Sequence, residues 1–129
     1  MIAVDTNILA RLLIADDKDQ LDRVLELLSN NTAWVSRTVT LELAWVLRSR
    51  YNFAQSQIAV TIQNLLQAEN LVFEDEAELE AAMELAQEGI DIADAIHLCC
   101  VPSHTTGFKT FDNSFIKMSS PLGFDVSAP

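Results

Sequence analysis

Ile2-Ala3-Val4-Asp5-Thr6-Asn7 runs three apolar residues straight into a carboxylate, a hydroxyl and an amide. A short apolar run without polar alternation predicts a strand buried on both faces. Ile8, Leu9, Leu12 and Leu13 follow at helical spacing, so a helix begins just beyond. Asp5 then stands at the carboxyl end of a first, central strand, where open α/β sheets hold their chemistry. The competing use of Asp5 or Thr6 is to cap that helix, and this stretch alone balances the two. Acids in matching positions elsewhere decide between them.

Outward from this start, the chain alternates strands and helices. The pattern predicts a short helix over Ile8 to Ile14, a polar break at Asp16-Asp17-Lys18-Asp19, and a second helix over Gln20 to Leu28. Thr32 to Ser36 reads as a second strand, followed by a largely apolar helix over Thr40 to Arg50. Asn52-Phe53-Ala54-Gln55 resembles a capping box opening a helix that runs to about Ala68. Asn70 to Phe73 is a third strand, and Asp75-Glu76-Ala77-Glu78 a similar start to a helix that Gly89 is placed to end. A further apolar helix spans Ile92 to Val101 and is broken by Pro102. Gly107 to Phe111 reads as a fourth strand, Asn113 to Ser119 as a helix, and Phe124 to Val126 as a last strand. This order predicts a parallel sheet covered on both faces, within one α/β domain over residues 1–129.

Composition excludes several classes. Half the residues are hydrophobic, which rules out a disordered chain. No apolar run approaches the roughly 20 residues that span a bilayer. The start, Met1-Ile2-Ala3-Val4-Asp5, lacks the basic residues of a signal peptide. Cys99 and Cys100 are neighbours in a helical pattern and point apart, so they read as reduced core thiols of a cytoplasmic protein. The net charge is −11, no Lys or Arg lies between Arg50 and Lys109, and ten carboxylates fall between Glu69 and Asp94. Taken alone this argues against nucleic acid, whose binders are usually basic. The acids either hold cations or meet a basic partner.

Three carboxylates join Asp5. Glu42 sits early in its helix among Leu41, Leu43 and Ala44, where an unpartnered charge is seldom buried; its plain reading is a solvent-facing acid favoured by the helix dipole. In Asp91-Ile92-Ala93-Asp94-Ala95-Ile96-His97, Asp91 makes a good N-cap and Asp94 falls at the third helical position. Backbone N–H groups could satisfy both, but capping is assigned to Asp91, and the apolar setting of Asp94 suits a carboxylate aimed into a central cleft. His97 lies nearly one turn on and reads as a half-buried histidine, not a ligand. Asp112 follows a strand and precedes a helix, repeating the pattern of Asp5. Two parallel strands that both end in Asp bring carboxylates to one edge of a sheet.

Val4-Asp5-Thr6-Asn7, Leu41-Glu42-Leu43, Ala93-Asp94-Ala95-Ile96-His97-Leu98 and Thr110-Phe111-Asp112, in this order, resemble the acidic motifs of PIN-domain ribonucleases. Size and the short start place the chain nearest the VapC-like toxins of toxin–antitoxin pairs. The resemblance implies a three-layer α/β fold with a short central parallel sheet, and a homodimer through helices such as those around Trp45 and Ile58 to Leu66. It also implies an endoribonuclease that hydrolyses RNA phosphodiesters with metal-activated water, and a small antitoxin that blocks the acidic cleft. Oxygen-only ligands favour Mg²⁺ or Mn²⁺. Asp5 and Asp94 are the expected main metal ligands, with Asp112 completing the site or holding a second ion. Glu42 is expected to ligate through water or to position the nucleophile. Thr6, Asn7 and Thr110 are expected to hydrogen-bond these carboxylates or the phosphate, and Arg11, Arg37 and Lys109 to contact phosphate.

Two rival readings remain. Phosphoryl transfer through Asp5 as nucleophile wants a second acid two residues on, where Asn7 stands. A non-catalytic PIN-like binding module is marked by lost acids, and all four are present.

Overall fold

In the computed structural model, which describes residues 1–129, three parallel strands lie in sequence order: β1 (Ile2–Ala3), β2 (Ala33–Val35) and β3 (Leu71–Phe73). Ile2 pairs with Ala33 and Ala33 with Leu71; Ala3 pairs with Trp34 and Trp34 with Val72. The ladder continues past β1, since Val4 N donates to Trp34 O at 3.2 Å. Asp5 therefore follows the last paired residue, as the sequence predicts.

β1 is nevertheless an edge of this sheet, and β2 is central. The strand predicted over Gly107 to Phe111 is only β4 (Phe108–Lys109), and it pairs in parallel with β5 (Val126–Ser127) in a separate two-stranded sheet. The sequence there explains the shortening. Thr105 and Thr106 before it and Phe111 after it are exposed, so few side chains reward a longer ladder. Asp5 and Asp112 thus do not share a sheet edge.

Strand order also sets coverage. Consecutive right-handed crossovers that step in one direction put their helices on one face. These are α1 (Thr6–Leu13) and α2 (Lys18–Asn30) after β1, then α3 (Arg37–Tyr51) and α4 (Gln55–Leu66) after β2. Burial agrees: Ala33, Val35, Leu71 and Phe73 are buried, whereas Ala3 is exposed, Trp34 half-buried and Val72 38% exposed. The second face is less covered than the apolar run of β1 predicts.

α5 (Glu76–Gln87) packs on α4, and α6 (Ile92–Cys99) packs on α5 and α3. α7 (Asn113–Ser119) runs into a 3₁₀ turn at Ser120–Leu122 and packs beside β5. The core joins Leu43 and Leu47 of α3, Ile58 and Ile62 of α4, Leu79 and Met83 of α5, and Ile96 of α6, all at most 1% exposed. Ile58 to Leu66, named in the sequence as a possible dimer face, supply mainly this core. Trp45, 63% exposed, is the large hydrophobic side chain that α3 presents outward.

Two predicted helix starts are built differently. Ala54, not Asn52, is the N-cap of α4; the cap is Gln57 Oε1 accepting from Ala54 N at 2.8 Å, and Asn52 ends α3 in the left-handed region. Asp75 precedes α5 with φ 58° and makes no side-chain cap; its carboxylate pairs with Arg37 instead. Asp tolerates this backbone better than most side chains. Gly89, φ 105°, follows the end of α5 as predicted. No helix is long and apolar enough to cross a membrane.

Candidate functional site

The start of α6 carries a carboxyl whose surroundings disfavour its charge. Asp91 is its N-cap: Oδ1 accepts from Ala93 N at 3.0 Å and Asp94 N at 3.4 Å. The capping role read from the sequence for Asp91 is therefore correct, and it leaves the Asp94 carboxylate free. Asp94 is half-buried and lines a cleft of about 360 Å³ with Arg48, Gln55, Asp91, Asp112 and Phe115. Burial pushes the Asp94 carboxyl above its ordinary range, and the negative charges of Asp91 and Asp112 push it the same way, against His97. Such a carboxylate binds positive charge more readily than an exposed one.

Asp112 reaches that cleft from α7. It is the N-cap there, Oδ1 accepting from Phe115 N at 3.1 Å, while its own N–H donates to Thr110 Oγ1 at 3.0 Å. Thr110 thus supports Asp112 through the backbone, not through the carboxylate. Phe115 beneath it is buried and packs on Phe108 with ring centroids 5.5 Å apart. Phe111, between Thr110 and Asp112, is 85% exposed.

The other predicted acids lie differently. Asp5 is exposed and caps α1, accepting from the backbone N–H of Asn7 at 3.1 Å, so Asn7 meets this carboxylate through its main chain. Thr6 is buried. Glu42 is exposed and lines a second cleft, about 470 Å³, with Leu41, Trp45 and Ile92. The two clefts share Arg48 and Asp91, an ion pair at 3.2 Å. The charges that act on Asp94 are those of Asp91, Asp112 and His97; Asp5 and Glu42 are not among them.

The predicted phosphate contacts are mostly engaged. Arg11 pairs with Asp16 at 2.6 Å and lines a cleft between α1 and α2 with Asn7 and Arg23. Arg37 Nη1 donates to Asp75 at 2.7 Å, its backbone N–H donates to Glu74, and Cys100 also touches its guanidinium. Asp75 above all raises the Arg37 pKa further. Lys109 Nζ donates to Ser127 Oγ at 2.7 Å, across β4 and β5. Cys99 and Cys100 are free thiols, and burial pushes Cys99 up to about 11.

Whether these residues fit a divalent cation follows from the donors. Asp94 and Asp112 line one cleft, offer oxygen only and repel each other, which suits a hard cation. Mg²⁺ usually keeps several waters and takes one or two carboxylates plus substrate phosphates. The pair fits that mode. A closed cage is not formed, since no three Asp, Glu, His or Cys side chains stand together as a metal site.

Sequence reasoning missed the structural use of Gln55 and Arg48, which bind the α6 start; Gln55 reads in sequence only as part of a cap. Nothing local marks either residue, because their partners at the α5 end and the α6 start lie 31 to 43 positions away.

A short parallel sheet with seven helices and acids at the starts of α1, α6 and α7 defines an α/β protein with carboxylates gathered at helix N-termini. The PIN domain family matches residues 2–120, and the chain belongs to that family. PIN domains are typically nucleases, acting on nucleic acid. No curated protein matches the chain in sequence.

Proposed function

We propose that the chain is a Mg²⁺- or Mn²⁺-dependent endoribonuclease and the toxin of a toxin–antitoxin pair. The carrying observation is Asp94, partly buried and sharing one cleft with Asp112, with Asp91 already committed to the helix cap. Asp94 and Asp112 would hold the cation. When bound, such an ion lowers the pKa of a water and offsets charge built up at phosphorus. Around it the chain's own groups orient the substrate. Asp5, at the start of α1, and Glu42, in α3, would have to close on this pair to complete the site and position the attacking water. Phe111 offers an exposed ring on which an unpaired base can stack, which favours single-stranded RNA. Hydrolysis leaves a 5′-phosphate.

Eight basic residues in a chain of net charge −11 supply few phosphate contacts. RNA binding is therefore weak and metal-dependent, and tight binding in a chelator contradicts this reading. The same acidity fits a small antitoxin with a basic tail, and exposed Trp45 fits a protein contact in a homodimer. Such a toxin acts in the cytoplasm.

One observation favours the second reading, a non-catalytic PIN-like module that binds protein or RNA: no three acids converge into a cage. Cleavage of single-stranded RNA in Mg²⁺ or Mn²⁺ separates the two. Asp5→Asn and Asp94→Asn are each expected to lower the rate by roughly 10²-fold or more. A wild type that never cuts, yet binds equally well with and without both changes, is the module.

A further inference from the structure

Gln55, the first residue of α4, uses its whole amide. Nε2 donates to Ala86 O at 2.9 Å and Ile90 O at 2.8 Å, and Oε1 accepts from Ile92 N at 3.1 Å and Arg48 Nη2 at 3.0 Å. These partners are the last turn of α5, the loop residue before the α6 cap, the first N–H of α6, and the Arg48 guanidinium of α3. A neutral amide with two donors and two acceptor lone pairs matches them all. Asn carries the same groups on a stem one methylene shorter.

The consequence falls on Asp94. The first N–H groups of a helix have no partner within it. In α6, Ile92 N–H goes to Gln55, and the Ala93 and Asp94 N–H groups go to Asp91. The turn from which Asp94 emerges is therefore fixed by side chains outside it. Arg48 and Asp91 join this network, but their side chains are 45% and 44% exposed, so solvent screens that pair. Gln55 is part-buried and also clamps the α5 end, which makes it the principal anchor.

We propose that Gln55 is a positioning residue for Asp94, setting through the start of α6 the aim of that carboxylate toward its cation. This rests on the reading of Asp94 as a cation-holding acid. Partners outside the ligand shell that orient a ligand typically change metal affinity or activity by roughly 10–100-fold.

The test is calorimetric titration of the metal-free full chain with Mn²⁺ alone, alongside RNA cleavage kinetics and circular dichroism at the same temperature. Gln55→Met keeps side-chain length and removes all four bonds. It is expected to stay folded, bind Mn²⁺ roughly 10–100-fold more weakly, lose a similar factor in kcat and leave the RNA KM unchanged. Arg48→Met is expected to lose less than Gln55→Met. A folded Gln55→Met with wild-type Mn²⁺ affinity, where Asp94→Asn has lost it, overturns the inference while sparing the site. Wild-type affinity in Asp94→Asn overturns the reading of the site, and the inference with it. Should Gln55→Met not fold, Gln55→Asn carries the same two outcomes, because its shorter amide cannot span both helices.

Discussion

The α5–α6 and β1–α1 junctions both place aspartate at a helix start, yet they use it in opposite ways. At α1, Asp5 itself caps the helix, is exposed, and spends an oxygen on Asn7 N–H. At α6, Asp91 does the capping, and Asp94 is left with a free carboxylate in a cleft it shares with Asp112. A carboxylate becomes available for chemistry when a neighbour takes the backbone donors and the surroundings raise the cost of its charge. At α6 two aspartates three residues apart divide these tasks, whereas Asp5 and Asp112 each cap a helix with one oxygen and keep only the other free.

The largest test strikes the support under Asp112. Phe115→Ala removes a buried ring that packs on Phe108, and should cost about 3–5 kcal/mol in urea unfolding. A loss near that of a surface residue would mean that α7 is not anchored as described.

Asp91→Ala removes two N–H bonds and an ion-pair partner, and should cost about 1–2 kcal/mol. Asp5→Ala removes one bond and should cost about 1 kcal/mol or less, whereas Asp5→Asn keeps a capping oxygen and should change stability little. Equal losses at Asp91 and Asp5 would erase the contrast between the junctions.

The charge of Asp94 gives a signed pH dependence. Its folded pKa lies above the unfolded value, so its contribution to stability is full below the ordinary carboxylate pKa of about 4. That contribution is lost as pH rises through the raised folded value. In a chelator, Asp94→Asn should therefore be more stable than wild type near neutral pH, the difference shrinking toward about pH 3. Urea unfolding across this range checks it; a wild type more stable than the variant at neutral pH contradicts it. The smallest effect is Arg11→Met, which breaks a part-exposed pair with Asp16 and should cost about 1 kcal/mol or less.

Periodicity and capping chemistry carry far in this chain. The helices through Leu21 to Leu28, Leu43 to Leu47 and Ile92 to Cys99, and the roles of Asp91 and Gly89, are legible because each depends on residues within a turn or two. Strand partners are not local. β4 holds two residues, too few for alternation to say whether β1 or β5 lies beside it. Asp75 looks like a cap until Arg37, 38 positions away, claims its carboxylate. The four acids are each visible in sequence, but which pair shares a cleft depends on how α6 and α7 pack.

The most direct measurement is paramagnetic broadening of backbone amide resonances by substoichiometric Mn²⁺ in the metal-free chain. The account predicts that the amides around Asp94 and Asp112 broaden first, and that Asp94→Asn abolishes the effect. Broadening centred instead on the exposed Glu76, Glu78, Glu80 and Glu84 of α5, and unchanged in Asp94→Asn, would contradict it.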